Sequence, residues 1–432
     1  MDIYDKPARE EWEEILKRPA QKFKKIEKIV RPILKKVKKK GDKALRQFAL
    51  EYDHVELDNI QVHPKEIDQA EKQLSHELKE AIQQAYQNIK KFHEAQHSEM
   101  LSMETMPGVR CMRKNVPIQK VGLYIPGGTA PLFSSVLMLG IPAKLAGCQE
   151  IVMCSPPNRK GKLHPAILYT AQLIGIEKIF KVGGAQAVAA MAYGTKSIPK
   201  VYKIFGPGNQ YVTAAKQIVS QKGLSIDMPA GPSEVAVYAD ETANPAFVAS
   251  DLLSQAEHGV DSQVLLVTTD AKLMDRVEPE IRKQLEALPR KDFARAALEN
   301  SVVCVMATHE DAVDLLNEYG PEHLIIATKK PREAMDYVVN AGSVFLGQYT
   351  PESAGDYASG TNHTLPTNGY AKSYSGVSLD SFMKKITYQE ISEEGLLKLG
   401  PVVEVMAEAE ELQAHKNAVS LRLAEIKGMS NE

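Results

Sequence analysis

Several groups of residues in this 432-residue chain have the types and spacing to do chemistry. Gln255 and His258 stand three apart in Ser254-Gln255-Ala256-Glu257-His258-Gly259. On a helix both would fall on one face, and an amide oxygen beside an imidazole makes half of a metal site. Glu322-His323 follows Gly320-Pro321 at the start of an apolar run. A carboxylate next to an imidazole offers two bases of different strength, which suits a reaction with two proton transfers. Asp356 and His363 lie in a long stretch rich in Gly, Ser, Thr, Pro and Asn, and Glu410 and His415 lie in the charged tail. Gln255, His258, Asp356 and His415 form a nitrogen and oxygen set without cysteine, suited to a zinc ion with positions left open for a substrate. On the residues alone plainer readings stand beside these: hydrogen-bonded structural histidines, and for Glu322-His323 a surface carboxylate next to a capped imidazole.

A second kind of candidate is backbone. Pro126-Gly127-Gly128-Thr129-Ala130-Pro131, Gly183-Gly184-Ala185-Gln186 and Gly206-Pro207-Gly208-Asn209 each follow an apolar run and lead into a helical pattern. Such turns expose N–H groups at positive helix ends, where phosphates bind. None matches G-x-G-x-x-G, and singly each reads as a plain connection. Three at one edge of a parallel sheet point toward a nucleotide.

The elements that must position these groups follow a βα rhythm. Strand runs at 121–125, 151–154, 178–182 and 201–205 alternate with helical patterns, which predicts a parallel sheet. The alternation restarts with strands at 234–239, 263–268, 302–306, 323–327 and 342–346. The helix at 244–257 carries Gln255, and Gly259 reads as its C-cap. A long amphipathic helix covers 71–96, with Leu78, Ile82, Ala85, Ile89 and Phe92 on one face and His93 and His97 at the surface. The other histidines outside the constellation (His54, His63, His76, His164 and His309) read as solvated. Glu410 and His415 are five apart, about 140° on an unbroken helix, so a break near Gln413 is expected if both serve one site.

Composition bounds the rest. The chain is 44% hydrophobic and 25% charged with a net charge of -2, which gives no electrostatic case for nucleic acid or an anionic membrane. The N-terminus has no apolar stretch of a secretory signal, and no run is long enough to span a bilayer. Cys111, Cys148, Cys154 and Cys304 are scattered, and the last three sit in or beside apolar runs as buried reduced thiols, so the expected compartment is cytoplasmic.

Longer strings carry a family resemblance. Gly122-Leu123-Tyr124-Ile125-Pro126-Gly127-Gly128, Phe205-Gly206-Pro207-Gly208-Asn209 and 226–234 (IDMPAGPSE) resemble histidinol dehydrogenase. So do 251–259 (DLLSQAEHG), Gly320-Pro321-Glu322-His323-Leu324 and Ala414-His415-Lys416-Asn417-Ala418-Val419, in order over essentially the whole chain. The resemblance implies oxidation of L-histidinol to L-histidine, the last step of histidine biosynthesis, with two hydride transfers to NAD. It implies one zinc per subunit bound by Gln255, His258, Asp356 and His415. Substrate contacts would come from Ser233, Gln255, His258, His323, Asp356, His363, Glu410 and His415. NAD contacts would come from Tyr124, Gln186 and Asn209, with Glu322 and His323 as proton acceptors. It implies a homodimer whose tails complete each other's sites. The fold expected is α/β, with two Rossmann-like parallel-sheet domains of an incomplete dinucleotide-binding type. Their boundaries are an N-terminal helical arm at 1–27, a discontinuous first domain at 28–125 and 236–378 carrying metal and catalytic residues, a second at 126–235 carrying the NAD turns, and a tail at 379–432. Two other readings compete: a zinc-dependent hydrolase of a small amide or amino-acid derivative, which leaves the glycine-rich turns unused, and a non-catalytic nucleotide-binding module, which leaves Glu322-His323 unused.

Overall fold

The apolar runs pair into two parallel sheets in a computed structural model that describes residues 1–19, 23–127, 131–229 and 231–429. Gly128-Thr129-Ala130 of the first glycine-rich turn and Ala230 of the IDMPAGPSE string lie outside the described residues. The chain divides into two compact units, Met1–Gln96 with Ile118–Phe382, and His97–Pro117 with Met383–Glu432.

The first unit holds both parallel sheets. The five-stranded one runs Lys178–Lys181, Glu150–Ser155, Lys120–Tyr124, Lys203–Phe205, Ser225–Ile226. The six-stranded one runs Asp2–Asp5, Val302–Val305, Gln263–Thr268, Glu234–Ala239, His323–Ala327, Ser343–Leu346. The central strands are covered on both faces, so they read as unbroken apolar runs rather than alternating ones. Pro245–Ala256, Leu273–Ala287 and Lys291–Glu299 cover one face of the six-stranded sheet. His309–Tyr319 and the N-terminal Trp12, Ile15 and Leu16 cover the other. The N-terminal segment is helical at Trp12–Ile15 and also supplies an edge strand, Asp2–Asp5, that its charged sequence did not announce.

The helices Phe23–Lys40, Pro64–Glu71 and His76–Glu94 depart from the expected grouping of 28–125 with 236–378. They pack on the helices of the five-stranded sheet, Val30, Leu34 and Val37 joining the core of Gly184–Tyr193 and Gln210–Ser220. The strand Lys120–Tyr124 is likewise central to that sheet, and Glu234–Ala239 is interior to the other. An apolar helix face fixes that a helix is covered, not which partner covers it. His93 also corrects its expectation: it is fully buried, with Nδ1 2.9 Å from Ile89 O and Nε2 3.3 Å from Asn362 Nδ2. Cys148, Cys154 and Cys304 are buried and free, as expected.

The second unit joins the tail to a hairpin, so it is larger than 379–432. Met383–Ile391 pairs antiparallel with Val109–Pro117, which pairs with Leu101–Met106. Helix Glu393–Ala409 then turns back into Gln413–Met429, and the two pack on each other. The expected break is present: Glu410 caps the first helix, Glu411 takes φ +59°, and Leu412 N–H returns to Ala407 O at 2.8 Å.

Candidate active site

Within the first unit a cavity of about 840 Å³ lies where the carboxyl edge of the five-stranded sheet meets the amino edge of the six-stranded one. Tyr124, Gln186 and Asn209 line it from the first sheet, and Ser233, Gln255, His258, Glu322, His323, Asp356 and His363 from the second. Glu410 and His415 belong to the second unit, where both are exposed.

The first wall is mostly backbone. Gly206 has φ +130°, and a Cβ there would fall 2.1 Å from Tyr124 O, so only glycine permits this turn. Its N–H donates to Asp227 Oδ2 at 2.8 Å and its carbonyl accepts from Lys216 Nζ at 2.9 Å, while Lys216 and Asp227 form a buried ion pair at 2.5 Å. Asn209 caps Gln210–Ser220, its Oδ1 accepting from Tyr211 and Val212 N–H at 3.0 and 3.1 Å. Gly184, at φ +62°, lets Gln186 fold back over the start of Gly184–Tyr193, and its N–H donates to the Tyr124 hydroxyl at 3.2 Å.

The second wall is charged. Pro245–Ala256 ends at the cleft with Gln255 buried on its last turn. Its C-cap is Glu257, and His258 sits in the following turn, with its N–H on Gln255 O at 3.2 Å. Gly259 is not left-handed, so it is not the cap its position suggested. Gln255's amide satisfies its neighbours when Oε1 accepts from Glu234 N–H at 2.9 Å and Nε2 donates to Glu352 Oε1 at 3.2 Å. His323 opens its strand fully buried. Its Nδ1 lies 3.2 Å from Glu234 O, a carbonyl that can only accept, so Nδ1 carries a proton, and Nε2, 3.3 Å from Asp356 Oδ1, donates to that carboxylate when the ring is charged. Glu322 Oε2 accepts from Glu234 N–H at 3.0 Å and lies 3.8 Å from His323 Nδ1. His363 Nδ1 holds Asp356 O at 2.9 Å and its Nε2 meets Ser135 Oγ at 3.2 Å.

Burial and crowding set the proton affinities. Burial pushes Glu322 up to about 8, with His323 pulling the other way. Burial disfavours a charged His323, but Glu322, Asp356 and Glu352 outweigh it and raise the imidazole. Burial would raise Asp356, yet the hydrogen bond from His323 holds it below the usual carboxylate range. Burial lowers His258 and His363, partly offset by Asp356, which favours neutral rings able to ligate. These directions favour an ionised Asp356 beside neutral His258 and His363, with the proton affinities of both Glu322 and His323 raised.

A zinc ion would find suitable donors here in the imidazole of His258 and the carboxylate of Asp356, which are electrostatic neighbours. Among the described residues, however, no group of three or more His, Cys, Asp and Glu is arranged to hold a metal. One chain's donors fit zinc in chemistry and fall short in number.

The family profile of histidinol dehydrogenase matches residues 16–423. The chain belongs to the histidinol dehydrogenase family. That makes it an oxidoreductase of histidine biosynthesis. The histidinol dehydrogenases of Bacteroides fragilis and Bacteroides thetaiotaomicron are 60% and 58% identical to it, over 99% of this chain and 100% of theirs. The crystal structure of histidinol dehydrogenase from Elizabethkingia anophelis superposes with a TM-score of 0.97 at 54% identity, covering 99% of each chain.

In this histidinol dehydrogenase fold some residues around the cleft carry no signal in the sequence. Glu352 is buried, accepts from Ser254 Oγ at 2.7 Å, and leaves Oε2 without a partner among the described residues. Burial lifts it to about 7, and burial with the Glu352 charge lifts Asp251 to about 7. Glu234 is clamped by Arg18, Nε to Oε1 at 2.6 Å and Nη2 to Oε2 at 2.8 Å, which steadies the carbonyl that His323 uses. A carboxylate one turn before Asp356, in 351–357 (PESAGDY), was the one available hint for Glu352. A further cavity of about 940 Å³ opens at the carboxyl edge of the six-stranded sheet, around Tyr238, Asp240, His309 and Lys329, and contains none of the expected site residues.

Proposed function

We propose that the chain is a zinc-dependent, NAD-linked histidinol dehydrogenase that oxidises L-histidinol to L-histidine through a bound aldehyde. The observation that carries this is the meeting, in one cavity, of backbone turns suited to a dinucleotide and a buried Glu-His pair suited to two proton transfers. Tyr124, Gln186 and Asn209 would hold the cofactor; each NAD when bound accepts one hydride, so two NAD molecules would bind in turn to oxidise one carbon twice. His258 and Asp356, with Gln255 and a His415 donated by another subunit, would hold one zinc ion, which when bound fixes the amino and imidazole nitrogens of the substrate.

Ser233, His363 and Asp356 would orient the substrate, with Glu410 from the neighbouring tail. With Nδ1 held by Glu234 O, His323 would take the hydroxyl proton on Nε2 in the first oxidation once Asp356, which Nε2 faces here, turns to the metal. The aldehyde stays bound. Glu322 then takes a proton from water adding to the aldehyde, and the hydrate is oxidised to the carboxylate. Its high proton affinity makes it a stronger base toward water than a solvated carboxylate.

The shortfall in metal donors supports a homodimer with shared sites. So do Val402, Val405, Met406 and Leu421 of the second unit, each more than half exposed. No helix among the described residues is long and apolar enough to cross a membrane, the buried free thiols suit a cytoplasmic enzyme, and a net charge of -2 gives no electrostatic case for nucleic acid.

Protein, zinc, NAD and histidinol mixed together should produce NADH absorbance. Its absence with metal confirmed bound overturns the reading and favours a zinc hydrolase. Mixing inactive His258→Ala and His415→Ala subunits should restore activity if the site is shared.

A further inference from the structure

One wall of the cleft has no role in the chemistry above. The helices Phe23–Lys40 and Asp42–Tyr52 bring Ile29, Ile33, Tyr52 and Asp53 into the same cavity as the glycine-rich turns. Asp53 is the C-cap of Asp42–Tyr52, its N–H on Ala49 O at 3.0 Å. Its carboxylate is half-buried and has no hydrogen-bond or salt-bridge partner among the described residues; the neighbouring His54 is the one opposing charge within electrostatic reach.

That placement is unfavourable in the empty protein. A helix C-terminus carries partial negative charge, so an anion there is repelled, and burial adds a desolvation cost that lifts the carboxyl to about 6. A group held this way needs donors from outside the chain. Its position says which. Asp53 is an electrostatic neighbour of Tyr124, whose hydroxyl accepts from Gly184 N–H, so it lies in the half of the cleft formed by the turns and apart from the His323 cluster. Glycine-rich turns that open helices, as Gly184–Tyr193 and Gln210–Ser220 are opened here, are the usual seat of a phosphate. A carboxylate beside them repels phosphate and favours neutral hydroxyl donors, and a ribose diol next to a pyrophosphate supplies two.

We infer that Asp53 accepts the ribose hydroxyls of the cofactor's adenosine half and so makes the cleft select NAD over NADP, whose 2′-phosphate would meet this carboxylate. The inference rests on the reading that NAD binds at the turns. The same logic places an acidic residue on the ribose in other parallel-sheet dinucleotide sites, but here the residue arrives from a helical hairpin packed on the sheet and not from the strand after the glycine turn.

The test is calorimetric titration of the full-length enzyme with NAD and, separately, NADP, for the wild type, Asp53→Asn and Asp53→Ser. The wild type should bind NAD and reject NADP. Each variant should bind NAD roughly tenfold more weakly, the usual loss for a hydrogen bond to a charged group, and should lose about tenfold or more of the NAD over NADP ratio. The variants should melt no lower than the wild type, because the unpaired carboxylate is gone. A wild type that does not bind NAD overturns the cofactor reading itself. A wild type that binds NAD while both variants keep its NAD over NADP ratio overturns the role of Asp53 alone. Asp53→Ser covers the case in which the Asn variant fails to fold.

Discussion

The two sheets present opposite edges to one cleft. The five-stranded sheet offers its carboxyl edge, where the cleft is lined mainly by glycine-rich turns that open helices. The six-stranded sheet offers its amino edge, where Glu322 and His323 open a strand and the C-terminal end of Pro245–Ala256 brings Gln255 and His258. A surface made of backbone is insensitive to pH and tolerates few Cβ atoms. A surface made of packed titratable groups is tuned by its neighbours and costs stability to keep. The contrast divides the labour: one edge suits a large ligand with phosphates, the other suits moving protons.

The largest expected break in that division is His323→Asn. It removes the base that has no substitute on the turn side, and kcat should fall about a thousandfold, read by steady-state NADH formation, while NAD affinity stays within about twofold because the turns do not touch His323. Equal loss of NAD binding would show that the two edges are not separable. Next is Gly206→Ala. A Cβ against Tyr124 O should cost at least about 2 kcal/mol and weaken NAD binding, measured by thermal melting and titration. Metal content, read by elemental analysis, should be unchanged, since the charged edge is intact.

The smallest effect sharpens the electrostatic side. Asp251 holds its proton in the folded state up to about pH 7, whereas the unfolded chain releases it near 4. Between those values the folded state binds the extra proton, so stability falls as pH rises and levels off above about pH 7. Asp251→Asn escapes that fall. Its melting temperature should exceed the wild type's by a few degrees near pH 8 and by less near pH 4. A gap independent of pH would mean that Asp251 is not the buried acid responsible.

Much of this contrast was legible in the sequence, for reasons that differ by region. Strands buried on both faces must be apolar throughout, so Glu234–Ala239, Gln263–Thr268 and His323–Ala327 stand out to the residue. Glycines at turns show because Gly206 and Gly184 adopt angles that other residues avoid. Partner choice was not legible. The helices from Phe23 to Glu94 have clear apolar faces, yet either sheet could have covered them. The strand Met383–Ile391 pairs with Val109–Pro117 across most of the chain, and nothing local in either names the other. His93 looked solvated on a helix written mostly in polar residues, because Asn362, which covers it, lies far along the sequence. The ligand and base assignments came from resemblance; spacing alone left the histidines of the constellation open to structural roles.

The most direct test of the central claim, that a backbone edge and a proton-transfer edge share one reaction, is a single-turnover experiment on Glu322→Gln. With enzyme, zinc and NAD in excess over histidinol, the wild type should form NADH in two steps. The variant should keep the first step, which uses His323, and lose most of the second, so that histidinaldehyde accumulates in the quenched reaction. Equal slowing of both steps with no trapped aldehyde would contradict the account.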